Sequence, residues 1–170
     1  MFKPTGIMPA LVTPFTEDGK EVDEPQLRML VSHCIDQGVS GVVPCGTTGE
    51  FVNMTVEERK RVIDIVADEA NHKVKVVAGT GASNTAEALE MTRYAKNAGA
   101  DAALIVTPYY LKPTDRGIYE HYDTIASKLD MPIILYNIPQ CTGLALPWQM
   151  VEDLAQIPNI VGVKDSSGQL

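Results

Sequence analysis

The sequence has little that would tie it to a disulfide framework, a metal, a membrane or a nucleic acid. Its three cysteines, Cys34, Cys45 and Cys141, are an odd number without C-x-x-C spacing. They suit a reduced cytoplasm better than a set of bridges, and they do not form a zinc site. His33, His72 and His121 stand far apart, in or beside predicted helices, so surface or packing roles are expected of them. No apolar run approaches the length of a membrane span, and the first six residues lack the apolar stretch of a signal peptide. The formal net charge is -8 over 170 residues, with no basic stripe, which is a poor footing for nucleic acid. No G-x-G-x-x-G follows the first apolar segment, which counts against a dinucleotide-binding fold. Linkers and low-complexity segments are absent as well. A single domain over residues 1–170 is expected.

What is present is ordinary globular composition, 45% hydrophobic, in a chain long enough for one sizeable core. Gly6 to Phe15 is apolar and interrupted by prolines, and reads as a first short strand. Thr16 to Lys20 reads as a turn. Asp23 caps a helix that closes at Gly38, with Leu27, Leu30, Val31, Cys34 and Ile35 at helical spacing. Val39 to Cys45 reads as a second strand. Thr55 and Glu58 form a capping box for a helix to about Ala70. Val74–Ala78, Ala102–Val106, Pro132–Tyr136 and Ile160–Lys164 read as four more strands. Helices opened by Asn84, by Thr114 or Asp115, and by Pro147 lie between them.

Strict alternation of strand and helix predicts a parallel sheet with right-handed crossovers. Either an open doubly wound sheet or part of a (β/α)₈ barrel satisfies it. Candidate chemistry at the ends of several different strands favours the barrel. A complete barrel needs about 250 residues, so the chain is expected to cover about strands 1 to 6. Such an open barrel would expose strand edges and apolar faces. Poor solubility or self-association is therefore expected, to be read by size-exclusion chromatography.

The residue of greatest chemical interest is Lys164. Ile160-Val161-Gly162-Val163 reads as a strand buried on both faces, and Lys164 ends it, where α/β folds place their sites. Burial there disfavours the charge and favours the neutral amine that attacks a carbonyl. A strand-end lysine reaching to solvent is the plainer alternative. Gly46-Thr47-Thr48-Gly49-Glu50 follows the second strand, and its amides and hydroxyls could bind a carboxylate. It lacks the lysine of a phosphate loop. Tyr136 ends the fifth strand and could pass protons, or could simply be packed. Of Tyr109 and Tyr110, at most one faces the same pocket. Cys45 reads as a small buried hydrophobe. Glu17, Asp18, Glu57, Glu58 and Glu69 read as solvated charge. Asp165 could pair with Lys164 or with a backbone amide.

Taken together, Gly46-Thr47-Thr48-Gly49-Glu50, Thr107-Pro108-Tyr109-Tyr110, Tyr136-Asn137-Ile138-Pro139 and Gly162-Val163-Lys164-Asp165 resemble the dihydrodipicolinate synthase / N-acetylneuraminate lyase family in order and spacing. The opening Ala10-Leu11-Val12-Thr13-Pro14-Phe15 is similar too. The resemblance implies a (β/α)₈ TIM barrel and class I aldolase chemistry. In it Lys164 forms a Schiff base with pyruvate or a longer 2-oxo acid, and a small aldehyde is added or released. By position, Tyr136 resembles the proton-relay tyrosine, and Thr47 the threonine linking it to a second tyrosine. Tyr110 resembles that second tyrosine, contributed across a dimer interface. Thr48 resembles the binding site of the pyruvyl carboxylate. No metal or organic cofactor is implied, and the implied assembly is a homotetramer built as a dimer of dimers. One departure stands out. Cys141 occupies the position at which dihydrodipicolinate synthases usually carry an arginine for the carboxylate of aspartate semialdehyde. A thiol cannot make that bidentate contact. This opens a 2-keto-3-deoxygluconate-type aldolase as an alternative. A non-catalytic remnant that pairs with another chain is the third reading.

Overall fold

The computed structural model describes residues 2–169. The single-domain reading over 1–170 takes in Met1 and Leu170, which lie outside the described residues. The chain divides into two compact units, one holding Thr80–Arg93 and nearly all that follows Ala102, the other Pro4–Gly79 and Tyr94–Asp101.

In the Pro4–Gly79 unit, helix α1 (Glu24–Asp36) begins where expected. The Asp23 carboxylate accepts from the Gln26 amide, and Pro25 sits in the first turn, where its missing N–H costs nothing. Leu27 and Val31 are its buried stripe. Strand β1 (Gly41–Val42) is followed by a 3₁₀ turn at Phe51–Asn53 and helix α2 (Val56–Ala70). Both halves of the capping box form: Thr55 Oγ1 accepts from the Glu58 amide, and the Glu58 carboxylate accepts from the Thr55 amide at 2.7 Å. Arg28 joins α1 to α2 by ion pairs with Asp68 and Glu69, and the Glu69 carboxylate also accepts from Ser32. Glu69 is thus half-buried rather than solvated, and these partners hold it below the ordinary carboxylate range. Strand β2 (Lys75–Gly79) runs parallel to β1, pairing Gly41 with Lys75 and Val42 with Val76. At its end a Cβ on Gly79 would lie 2.0 Å from the Cys45 carbonyl oxygen, so only glycine lets the two backbones approach.

The first expected strand is reduced to one parallel bridge, Ala10 with Val43, flanked by hydrogen bonds from the Leu11 amide to the Val43 carbonyl and from the Val43 amide to the Pro9 carbonyl. Pro9 and Pro14 have no amide hydrogen, so the ladder cannot extend through them. The second expected strand is shortened because Cys45 takes a left-handed φ of 55°.

In the other unit, helix α3 (Thr85–Asn97) begins near the start, and its residues from Tyr94 on belong to the Pro4–Gly79 unit. Strand β3 (Ala102–Val106), helix α4 (Asp115–Lys128) and strand β4 (Ile133–Asn137) follow. A short helix α5 (Pro139–Thr142), helix α6 (Trp148–Leu154) and strand β5 (Ile160–Asp165) complete it. β3 and β4 are buried along their whole length, as continuous apolar runs predict for a covered parallel sheet. The core is Ile105, Ile118, Tyr122, Ile125, Ile133 and Leu135, all within a few per cent of complete burial. At the far end Asn159 donates to the carbonyls of Ala126, Leu129 and Met131, tying the end of α4 to the entry of β5.

β5 corrects an expectation. It is not buried on both faces: Val163 is 46% exposed, and Val161 and Gly162 are half-buried. Among the described residues of its unit it pairs with one strand, β4, so its outer edge and part of one face lack the cover that a central strand receives.

Candidate active site

Lys164 lies at the carboxyl end of β5, opposite Tyr136 of β4. That pairing depends on an irregularity. Ile133 pairs with Ile160, but Ile134 pairs with Gly162, so β5 carries one extra residue at Val161. An uninterrupted register would set Val163 beside Tyr136. The extra residue moves every later position by one and turns the opposite set of side chains to that face. The result puts the Lys164 ammonium 3.9 Å from the centroid of the Tyr136 ring. A cation over a ring face at this distance is held by the ring's quadrupole. Tyr136 is 4% exposed and Lys164 is half-buried. The amine thus has an apolar wall on one side and access on another.

The strand ends are fixed by Asn137 and Asp165. The Asn137 side-chain amide donates to Asp165 at 2.6 Å, and its carbonyl accepts from the Leu146 amide. The Asn137 backbone carbonyl accepts from the Ser166 amide at 2.8 Å. The other Asp165 oxygen accepts from the Ser167 amide and hydroxyl. These bonds, those of Ser167 first, hold Asp165 below the usual carboxylate range. Of its two expected partners, Asp165 takes the backbone amide. It lies on the other side of the strand from Lys164, and among the described residues Lys164 has no carboxylate partner. The roles of Asn137 and of Gln140, whose side-chain amide donates to the Ser166 carbonyl, do not follow from residue type alone. Only the clustering of polar residues after both strands hinted at them.

Tyr110 lies in the same unit, in the loop after β3. It is 93% exposed and holds a φ of 74°, a region that bulky side chains seldom occupy. Leu111 beside it is 77% exposed, whereas Tyr109 is half-buried. Cys141 is an exposed free thiol on α5.

Thr47 and Thr48 belong to the other unit and are both exposed. Their loop is a run of turns, with the Gly49 amide donating to the Gly46 carbonyl and the Glu50 amide to the Thr47 carbonyl. The loop is braced by Thr13, whose hydroxyl donates to the Gly49 carbonyl at 2.8 Å. A Cβ on Gly49 would meet the Leu11 carbonyl oxygen at 3.0 Å, so this glycine serves packing against the N-terminal segment. Cys45 is 1% exposed, and burial pushes its thiol up to about 12, as befits an inert packing residue.

Parallel strands alternating with helices define an α/β fold, with a lysine and a tyrosine paired at the carboxyl ends of two neighbouring strands. The comparisons agree. The Dihydrodipicolinate synthetase family profile matches residues 3–170. A 4-hydroxy-tetrahydrodipicolinate synthase from Methanothrix thermoacetophila is 51% identical over 97% of this chain and 55% of its own. One from Methanopyrus kandleri is 50% identical over 99% of this chain and 57% of its own. The solved structure of a chloride-inhibited dihydrodipicolinate synthase from Acinetobacter baumannii, complexed with pyruvate, superposes with a TM-score of 0.93 at 48% identity, covering 96% of this chain and 56% of that one. YagE from E. coli K12, a prophage protein also in complex with pyruvate, gives a TM-score of 0.94 at 36% identity, over 97% of this chain and 55% of that one. The fold is that of a (β/α)₈ TIM barrel, of which this chain covers a part. The chain belongs to the dihydrodipicolinate synthetase family, and it spans about half the length of the curated relatives it matches.

Proposed function

We propose that the chain carries the pyruvate-activating half of a class I aldolase, of the 4-hydroxy-tetrahydrodipicolinate synthase type. The observation that carries this reading is the Lys164 amine held 3.9 Å above the Tyr136 ring at paired strand ends. The neutral amine adds to the C2 carbonyl carbon of pyruvate, and water leaves to give a protonated imine. The imine withdraws electrons from the methyl group, which loses a proton to become an enamine. The enamine carbon bonds to the aldehyde carbon, the aldehyde oxygen takes up a proton, and water releases the product from Lys164. By the family resemblance, Tyr136 moves the protons, with Thr47 and the Tyr110 of a second copy as its relay. Thr48 and its amide bind the pyruvyl carboxylate. Pyruvate in the solved relatives supports the first substrate. Exposed Tyr110 and Leu111 suit a contact with a second copy, in keeping with a homo-oligomer.

The relatives' names favour aspartate semialdehyde as the aldehyde. Cys141, which cannot make the bidentate contact of a guanidinium, favours a different one, as in 2-keto-3-deoxygluconate-type aldolases. Borohydride reduction with pyruvate, read by intact mass, tests the shared step. One reduced pyruvate adduct is expected, absent from Lys164→Ala. No adduct on folded protein would overturn the reading and leave the non-catalytic alternative.

A further inference from the structure

The reaction proposed above leaves one requirement unassigned. If the aldehyde is itself an acid, its anionic group needs a cation at the same strand ends, and Lys164 is taken up by the imine. The unit that holds Lys164 is poor in cations. Residues 2–3, 80–93 and 102–169, its described part, contain six lysines and arginines: Lys3, Arg93, Lys112, Arg116, Lys128 and Lys164. Lys3 follows Phe2, which lines a cavity with Pro132 and Asn159 at the amino ends of β4 and β5, away from Lys164. Arg93 pairs with Glu90, and Arg116 pairs with Glu120 at 2.7 Å. Lys128 is in the last turn of α4, which returns the chain to the amino ends of the strands, away from Lys164. That leaves Lys112.

Lys112 is in the loop after β3, whose last residue Val106 pairs with Tyr136. Its side chain crosses to the loop after β4. A Cβ on Gly143 would lie 3.2 Å from Lys112 Cε and 3.8 Å from Nζ. Gly143 has a φ of 68° and closes α5 without a side chain, so the lysine stem passes over it unobstructed. The same loop is tied to the end of β5 through Gln140 and Ser166. Among the described residues no carboxylate or carbonyl accepts from Lys112, so its ammonium is neither neutralised nor spent on capping α5.

We propose that Lys112 is the specificity-determining cation of the proposed aldol reaction, its ammonium over Gly143 binding the carboxylate of the incoming aldehyde. The assignment rests on the reading of Lys164 given above, and the test separates the two. Binding is followed by NMR shifts of the backbone amides of residues 138–144, using butanoate as probe and butanamide as its neutral control. Borohydride trapping with pyruvate is run on the same samples. Butanoate is expected to shift these amides and butanamide is not. Lys112→Ala should weaken the butanoate effect at least tenfold and Lys112→Arg should keep it, with equal pyruvate adduct in all three proteins. Equal butanoate binding by wild type and Lys112→Ala, or no butanoate effect in the wild type, overturns the assignment of Lys112. Loss of the pyruvate adduct from the wild type, with the Lys112-dependent shifts intact, overturns the imine reading and leaves the anion site standing.

Discussion

His121 shows what burial does to a single side chain. It is 2% exposed, with Nδ1 bonded to the Thr85 hydroxyl at 2.9 Å, its ring edge-on to Tyr122, and a buried Nε2 that has no hydrogen-bond partner. Burial lowers its pKa to about 4. The native state therefore keeps the ring neutral while the unfolded chain takes up a proton below about 6.5. Stability is complete above that value and falls as the pH drops towards 4. Urea unfolding should show a loss of about 2 kcal/mol between pH 7.5 and pH 5, largely removed in His121→Gln. The depressed carboxylates Glu69 and Asp165 act in a lower window, since each loses its contribution only as the pH falls through its folded value. An unchanged midpoint at pH 5 would show that water or a shifted ring satisfies the imidazolium. From sequence, either a surface or a packing role is expected of His121, and its burial makes it the second. Sequence could not give the orphaned nitrogen, because that depends on which neighbours the fold supplies.

Among the elements, α2 shows the value of a local signal. Thr55 and Glu58 satisfy two orphan amides of the helix start within four residues of chain, and no long-range contact is needed. Thr55→Ala should cost about 1 kcal/mol in a urea titration, with Thr55→Ser close to wild type. Loss of less than a few tenths would mean that the Glu58 contact alone suffices. The same locality explains why the helices and the middle strands were legible. Asp23, Thr55 and Thr114 all cap as expected. The elements that depart from expectation are decided elsewhere. The Ala10 segment lacks amide hydrogens at its prolines, Cys45 bends the end of the second strand, and α5 forms within a Pro-bounded loop. The shift at Val161 was invisible in the sequence, yet it decides which residue stands beside Tyr136. Lys164 and Tyr136 were found by type and position, and their contact was set by pairing.

For the molecule as a whole, the opposing quantities are charge and exposed apolar surface. A net charge of -8 keeps copies apart, while β5 offers an edge with Val163 beside it, and Tyr110, Leu111 and Trp148 are exposed in the same unit. Salt screens the first and leaves the second. Size-exclusion chromatography should therefore show association that grows with protein concentration and with added salt. Val163→Lys should reduce it by placing charge beside the open edge. A single monomer peak under all these conditions would show that the edge is protected in solution.

Gly79 has no side chain, yet it is among the positions least free to drift. Its backbone angles suit any residue, so the constraint is one of room. The obstructing atoms are the peptide atoms of Cys45, which all twenty amino acids share, and no exchange of a neighbouring side chain can move them aside. Any single substitution at this position meets the same obstruction. The path of the backbone from Cys45 into the threonine loop therefore stands or falls with the glycine that makes room for it.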